Sequence, residues 1–335
     1  MPRSAIPDVR IGISGWTYTP WRGTFYPEGL AHRLELTYAA KRLNSIEING
    51  SFYSLQRPTS YRDWYDATPD GFSFSIKGGR YITHMRRLRD VEEPLANFFA
   101  SGILELRDKL GPILWQFPPN FIFNPEKIET FFKLLPRDTM GASKIAKRHT
   151  SIMRGRASTR TDADRELRYA MEIRHDSFRA PEFIDLLRKY QIALCVADTA
   201  GNWPYLEDLT ADHVYVRLHG EQELYASGYT DEALHRWAAR MKLWLAGQEA
   251  TDGPHASTKP PPKRKQRDLY VYFDNDVKVH APFDALHLAE RLGITWAKDH
   301  EAELPQPKPR AKPKKPTKAK QRRSAWDFTS SASKK

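Results

Sequence analysis

The sequence predicts an α/β protein of the (β/α)8 TIM-barrel class. Two observations carry this expectation: eight short β-like segments, and amphipathic helical stretches between most of them, spread along the whole chain. Strand–helix alternation specifies a parallel sheet, and eight repeats is the number that closes a barrel. An open doubly wound sheet is the alternative, but it needs edge strands that this count does not require.

The expected strands cover residues 9–14, 45–49, 72–77, 112–117, 169–174, 192–197, 213–218 and 269–273. Helical patterns fall at 30–43, 94–110, 181–190, 231–245 and 282–292. Pro94, Pro181 and Pro282 suit a first helical turn, where the missing amide costs nothing, and Thr230 offers a cap to the helix after it. One barrel domain therefore spans 1–304. Two polar, turn-rich insertions, about 138–168 and 248–268, each precede a strand. That position assigns them to the amino-terminal face as disordered loops away from the usual site. The run PKPRAKPKKPTKAKQRR opens a Lys/Pro/Ala-rich tail, 305–335, with too few apolar residues to fold.

Charge follows the same division. The chain carries +12, but the tail holds +10, the first insertion +4 and the second +2, which leaves the remainder at −4. Basicity belongs to the appendages, so non-specific nucleic-acid binding is expected from 305–335 and not from the barrel. The single cysteine, Cys195, leaves no intrachain disulfide and no zinc-ribbon site. No run of 18 apolar residues offers a membrane span, and MPRSAIPDVRIGISG lacks the apolar stretch of a secretory signal. A cytoplasmic protein without a membrane partner is the expectation.

Period-2 alternation then locates candidate chemistry. Ile46 and Ile48 oppose Ser45, Glu47 and Asn49; Phe74 and Ile76 oppose Ser73, Ser75 and Lys77; Val214, Val216 and Leu218 oppose Tyr215, Arg217 and His219. The apolar set must face the helices, so the polar set faces the barrel interior. Charged residues come late in each strand, so Glu47, Asn49, Lys77, Glu172, Arg174, Arg217 and His219 converge on the carboxyl-terminal mouth, where barrel enzymes work. Structural roles compete at each position. Glu47 and Lys77, on adjacent strands, can neutralise one another, and Glu172 with Arg174 or Arg217 can form an internal ion-pair network. His84 and His175 can merely bond a loop carbonyl, and Asp198 can cap a turn. The expectation is a wet ligand site, so that Glu172→Gln and Arg217→Met leave stability nearly unchanged while abolishing stabilisation by the anionic ligand. If they hold the barrel together, each substitution strands a buried partner.

Longer motifs point to a family. GISGWTYTPWRGTFYP, IEINGSFYSLQRPTSYRDWYDATPDGFSFSIKGGRYITH, LGPILWQFPPNF, MEIRHDSF, VYVRLHG followed by Tyr229, and VYFDNDV together resemble the YecE-like proteins, domain-of-unknown-function family 72. The resemblance covers about residues 9–296, broken by the two insertions. It implies a TIM barrel and supplies no activity. Its motif positions include Gly15, Trp16, Tyr18, Trp21, Phe52, Tyr53, Thr83, His84, Gln116, Pro118, His175, Gly220, Asn275 and Asp276, besides the strand residues above.

Three chemistries compete. In acid–base catalysis on an anionic, sugar-like or phosphorylated small molecule, Glu47 or Glu172 is the base and Lys77 or Arg217 holds an oxygen, with His84 and His219 beside them. Trp16, Tyr18, Asn49, Tyr53, Gln116, Arg174, His175, Tyr229, Asn275 and Asp276 then bind the ligand, and a Schiff base on Lys77 is a variant of this reading. A divalent-metal hydrolase or isomerase would draw on Glu47, His84, Glu172, His175, Asp198, His219 and Asp276, but no HxH or HExxH spacing appears and the cations oppose it. The third reading is a non-catalytic metabolite binder or scaffold tethered to nucleic acid by its tail. Gly12 and Gly15 lack dinucleotide spacing, no GxSxG elbow exists, and Cys195 reads as a buried small hydrophobe. The sequence names no cofactor and assigns no metal ligand.

Overall fold

A computed structural model describes residues 7–305, so the tail expected at 305–335 lies, apart from its first residue, outside the described part. Eight parallel strands close into a barrel in sequence order. They are β1 (Val9–Ser14), β2 (Ser45–Ile48), β3 (Ser73–Lys77), β4 (Leu110–Gln116), β5 (Tyr169–Glu172), β6 (Ala193–Asp198), β7 (His213–Leu218) and β8 (Asp268–Phe273). Pairing of Val9 with Leu269 and of Ile13 with Phe273 joins the last strand to the first.

Boundaries differ from the periodicity where local chemistry intervenes. Asn49 leaves β2 to precede a short helix, Gly50–Tyr53. The helical pattern at 94–110 splits into a helix, Glu92–Ala100, and a kinked 3-10 segment, Ile103–Lys109. Gly102 makes the break: its φ is +109°, and a Cβ there would lie 2.5 Å from Pro58 Cα. No other residue type meets both conditions without strain. The expected caps at 181 and 230 form, with proline opening Pro181–Tyr190 and Thr230 Oγ1 accepting from the Ala233 amide at 3.2 Å.

Two apolar layers follow from the strand alternation. Outside the sheet, residues such as Ile46, Phe74, Ile76, Trp115 and Val216 pack under the helices in one large core. The helix Pro181–Tyr190 shows why: Phe183, Ile184 and Leu187 share one face and are fully buried. Each such side chain contributes roughly 1.5–3 kcal/mol. Inside the barrel a smaller cluster contains Leu114, Ala170, Cys195, Tyr215, Tyr270 and Tyr272. Small residues on β5 and β6 share this cluster with the tyrosines of β7 and β8, and Leu114 is its one large aliphatic side chain.

The first insertion corrects the expectation of a disordered loop on the amino-terminal face. It contains a helix, Thr139–Ala146, whose N-cap Asp138 accepts from the Gly141 amide, and a 3-10 turn, Ser151–Met153. Asn97, midway along Glu92–Ala100, bonds Thr150 through both its amide group and its carbonyl oxygen. Those bonds carry the segment up the outer wall. The second insertion has no regular element, yet Asp208 anchors it by accepting from the Ala256 and Ser257 amides.

Candidate functional site

The interior is layered along the strands. In the middle layer Ser45 Oγ meets Tyr272 Oη at 2.7 Å and Ser75 Oγ meets Tyr215 Oη at 2.6 Å, giving a buried, hydrogen-bonded floor. Above it sits Arg217, fully buried at the centre. Its Nε and Nη2 donate to the two Glu47 oxygens at 3.1 and 2.9 Å. Nη1 donates to Glu172 Oε2 at 2.8 Å and Nη2 to Asp274 Oδ2 at 2.8 Å. One guanidinium thus bonds three carboxylates from three directions, which its rigid fork of donors permits; with Arg174 on Glu172, two cations face three anions.

The remaining lone pairs are also occupied. Tyr215 Oη and Ser14 Oγ donate to Glu47, while Gln116 Nε2 and Arg174 Nε donate to the second oxygen of Glu172 at 2.7 and 2.8 Å. Burial alone would raise both the Glu172 and Asp274 carboxyls. Arg174 and Arg217 outweigh it at Glu172 and hold that group well below the usual carboxylate range. Arg217 does the same at Asp274. His219 Nδ1 lies 3.1 Å from Asp274 Oδ2, without the alignment of a hydrogen bond, and burial with Arg217 keeps the imidazole neutral.

This arrangement corrects two expectations. Glu47 pairs with Arg217 and not with Lys77. Glu47 and Glu172 are also unsuited to be bases, since both are sealed beneath the mouth and Glu172 is a strongly stabilised anion. The ion-pair network read as an alternative is present.

Above the network a cavity of about 770 Å³ opens to solvent. Its wall includes seven of the expected site residues: Tyr18, Asn49, Tyr53, Lys77, His84, Gln116 and Arg174. Phe52, Arg80, Met85, Tyr225 and Asp274 complete it. Lys77 ends β3 with its amine on this wall, 4.7 Å from the Phe52 ring centroid. Among the described residues its Nζ has no hydrogen bond or ion pair. Burial, then Arg217, push its pKa down to about 8. His84 meets Phe52 edge-on at 5.0 Å, and burial with Arg174 and Lys77 takes it down to about 4. Arg174 lies 3.7 Å over the Trp203 ring, which fixes its plane. Asp276 sits behind the wall. Its Oδ1 is buried without a hydrogen-bond partner among the described residues, and burial, then Asp274, raise its carboxyl well above the usual range.

Several expected ligand residues do not line the cavity. Tyr229 Oη accepts from the Gly220 amide and donates to Asp198, so it braces the loop after β7. Asn275 donates to Asp284 and to the Ser227 carbonyl, tying the end of β8 to helix Ala281–Arg291. His175 accepts from the Ser177 amide as a turn cap, and Trp16 packs edge-on against Trp64. Asp274, Tyr225, Trp203 and Arg80 were missed. Asp274 had a signal, because it continues the inward series Tyr270, Tyr272 by one step beyond the expected strand end.

Beside the cavity runs a second depression of about 500 Å³ that shares Phe52 and Tyr53 with it. Tyr81, Pro94, Thr150 and Ile152 also form its wall, so the first insertion reaches the mouth side of the barrel.

Fold and site together define a closed parallel barrel protein with a cation-rich cavity over an ion-paired floor. The chain belongs to the family described as Protein of unknown function DUF72, whose model matches residues 10–311. It is similar to the UPF0759 protein YunF of Bacillus subtilis (strain 168), 26% identical over 36% of this chain and 43% of that protein. It is also similar to the UPF0759 protein YecE of Escherichia coli (strain K12), 27% identical over 34% of this chain and 39% of that one. The match thus spans less than half the length of these curated relatives. A DUF72 family crystal structure from Thermotoga maritima MSB8 has a TM-score of 0.65 at 24% identity, covering 85% of this chain and 99% of that one. One from Enterococcus faecalis V583 has a TM-score of 0.58 at 17% identity, covering 87% and 99%. At these identities the likeness supports the barrel fold. No helix among the described residues is long and apolar enough to cross a membrane.

Proposed function

We propose that the mouth cavity binds a small oxygen-rich anion, a phosphorylated or carboxylated sugar-like molecule, and performs acid–base chemistry on it. The observation that carries this reading is Lys77, a buried cation on a cavity wall whose amine makes no hydrogen bond or ion pair among the described residues. The nearby carboxylates, Glu47, Glu172 and Asp274, all bond Arg217, and the four cations Lys77, Arg80, Arg174 and Arg217 exceed them by one charge. Lys77, Arg80 and Arg174 face Asp274 as the charged wall groups, so the wall favours an anion.

The acid–base roles move from the sealed glutamates to groups nearer the ligand. Lys77, with a pKa of about 8, exchanges its proton close to neutral pH. His84 is a neutral imidazole there and can accept one. Divalent-metal chemistry is disfavoured by the same geometry: the Arg217 guanidinium occupies the point where Glu47, Glu172 and Asp274 converge.

The reading is tested with inorganic phosphate and a panel of sugar phosphates and hydroxy acids in D2O. Stabilisation of the native protein by the anion, lost in Lys77→Met, and deuterium incorporation into one class of compound are expected. Absence of both stabilisation and exchange across the panel would refute it.

A further inference from the structure

Lys77 has a more specific chemistry open to it than holding an anion. It is the last residue of β3, and its backbone is fixed from both sides. Ser51 Oγ donates to the Lys77 carbonyl at 2.7 Å. The next residue, Gly78, lies under the Trp115 ring, where a Cβ would be 2.2 Å from a ring carbon. A strand-end residue held this way positions its side chain better than a loop residue does. The stem lies against Phe52, and the amine reaches a cavity large enough for a small metabolite.

We infer that Lys77 is a covalent catalytic residue whose amine condenses with the carbonyl carbon of a small anionic aldehyde or ketone. This deepens the proposed function and rests on that cavity being the ligand site. The amine adds by its lone pair: a C–N bond forms, the C=O π pair moves to oxygen, and the nitrogen's proton follows it. A second proton on that oxygen lets the C–O bond break and water leave, giving a protonated Schiff base. One ammonium and one carbonyl become one iminium and one water, so atoms and charge balance. The iminium draws electrons from the neighbouring carbon, which is the chemistry of aldol cleavage and of proton abstraction next to a carbonyl.

The surroundings suit each part. Burial and Arg217 lower the amine's proton affinity, which leaves roughly a tenth of it free at neutral pH. Glu47 on β2, Glu172 on β5 and Asp274 after β8 act on it from a distance in the opposite sense, and none of them bonds it. Arg174, held in plane by Trp203 and Glu172, and Arg80 at the rim supply the anion contact. His84 supplies a neutral proton acceptor on the same wall.

The test is reductive trapping on the full-length protein. It is incubated with sodium cyanoborohydride and either pyruvate or dihydroxyacetone phosphate, with acetone as the uncharged comparison, at pH 7.0 and pH 8.5 as chosen conditions. Proteolysis and mass spectrometry then locate the adducts. The expected result is modification of Lys77 at least tenfold above any surface lysine, greater at the higher pH, weak with acetone, and absent in Lys77→Arg. Adducts spread over surface lysines with no preference for Lys77 would overturn the inference. The comparison within the native protein does not depend on the variant folding. Stabilisation by inorganic phosphate, measured alongside, separates the two claims: if it persists without trapping, the anion site stands and the covalent step falls.

Discussion

Arg217→Met removes the charge on which the inner layer depends. Methionine keeps much of the stem and takes away every donor, leaving Glu47 and Glu172 buried beneath the cavity, and Asp274 at its wall, without the guanidinium. Stranding a buried charge typically costs about 3–5 kcal/mol. Proton uptake by the three acids keeps the total near that range instead of letting it triple. With roughly 300 folded residues at about 2.1 cal/mol/K each, unfolding entropy is near 0.6 kcal/mol/K, so Tm should fall by about 5–8 °C at pH 7. The sign of the pH dependence is fixed. Glu172 and Asp274 have depressed pKa values when folded, so they stabilise above the ordinary carboxylate pKa, and that contribution is lost as pH falls through the folded values. The variant lacks it, so its deficit should be full at pH 7 and shrink towards and below pH ~4. Adding Glu172→Gln should restore only part, because Glu47 and Asp274 stay unpaired. Calorimetric melts of the three proteins across pH decide it. A loss under about 2 °C at pH 7, or a gap unchanged towards acid, would show that the layer is wet and exchangeable.

Other outcomes follow from the same charges. Lys77 pays a desolvation penalty in full below its folded pKa of about 8, and the penalty fades as pH rises towards the ordinary lysine value. Lys77→Met should therefore melt up to about 5 °C higher at pH 7, with the difference closing by pH ~10.5, and a variant less stable than the native protein would contradict this. Asp276 has a raised pKa, so its penalty is absent below the ordinary carboxylate pKa and grows above it. Asp276→Asn should match the native protein near pH 4 and melt above it at pH 7, as thermal denaturation by circular dichroism will show. The 11 Lys and Arg of 305–335 should bind DNA without sequence preference and with steep salt dependence. Truncation after Leu304 should abolish DNA retention on a gel and leave Tm unchanged, and a truncated barrel that still binds equally well would move that activity to the fold.

The barrel was legible because each strand states its two faces in its own residues, and Glu47, Lys77 and Arg217 could be placed at the mouth from period two alone. Their partners could not. Glu47 and Lys77 are neighbours by strand order, but the guanidinium of Arg217 spans the interior and takes Glu47 from the far side. Which cation wins depends on side-chain reach and donor geometry, and strand order encodes neither. Tyr225 and Trp203 come from irregular loops, Tyr225 with a φ of +63°, where no periodicity predicts direction. Tyr229 and Asn275 look like ligand groups in sequence for the reason that they are polar and close to the mouth. Their bonds go to Asp198 and Asp284, so their polarity is spent on bracing loops.

The central guanidinium also sets an order of events in time. During synthesis Glu47 is made 170 residues before Arg217, and Glu172 45 residues before it. At about 5–20 residues per second, Glu47 waits roughly ten to thirty seconds for its counter-ion. Through that interval Glu47 lacks the guanidinium that bonds it in the folded barrel, whereas Glu172 meets Arg174 two residues after it is made. Asp274 then arrives 57 residues after Arg217, and β8 closes onto β1 only once nearly the whole barrel has left the ribosome. The inner ionic layer can therefore be completed only after the end of β8 has been made.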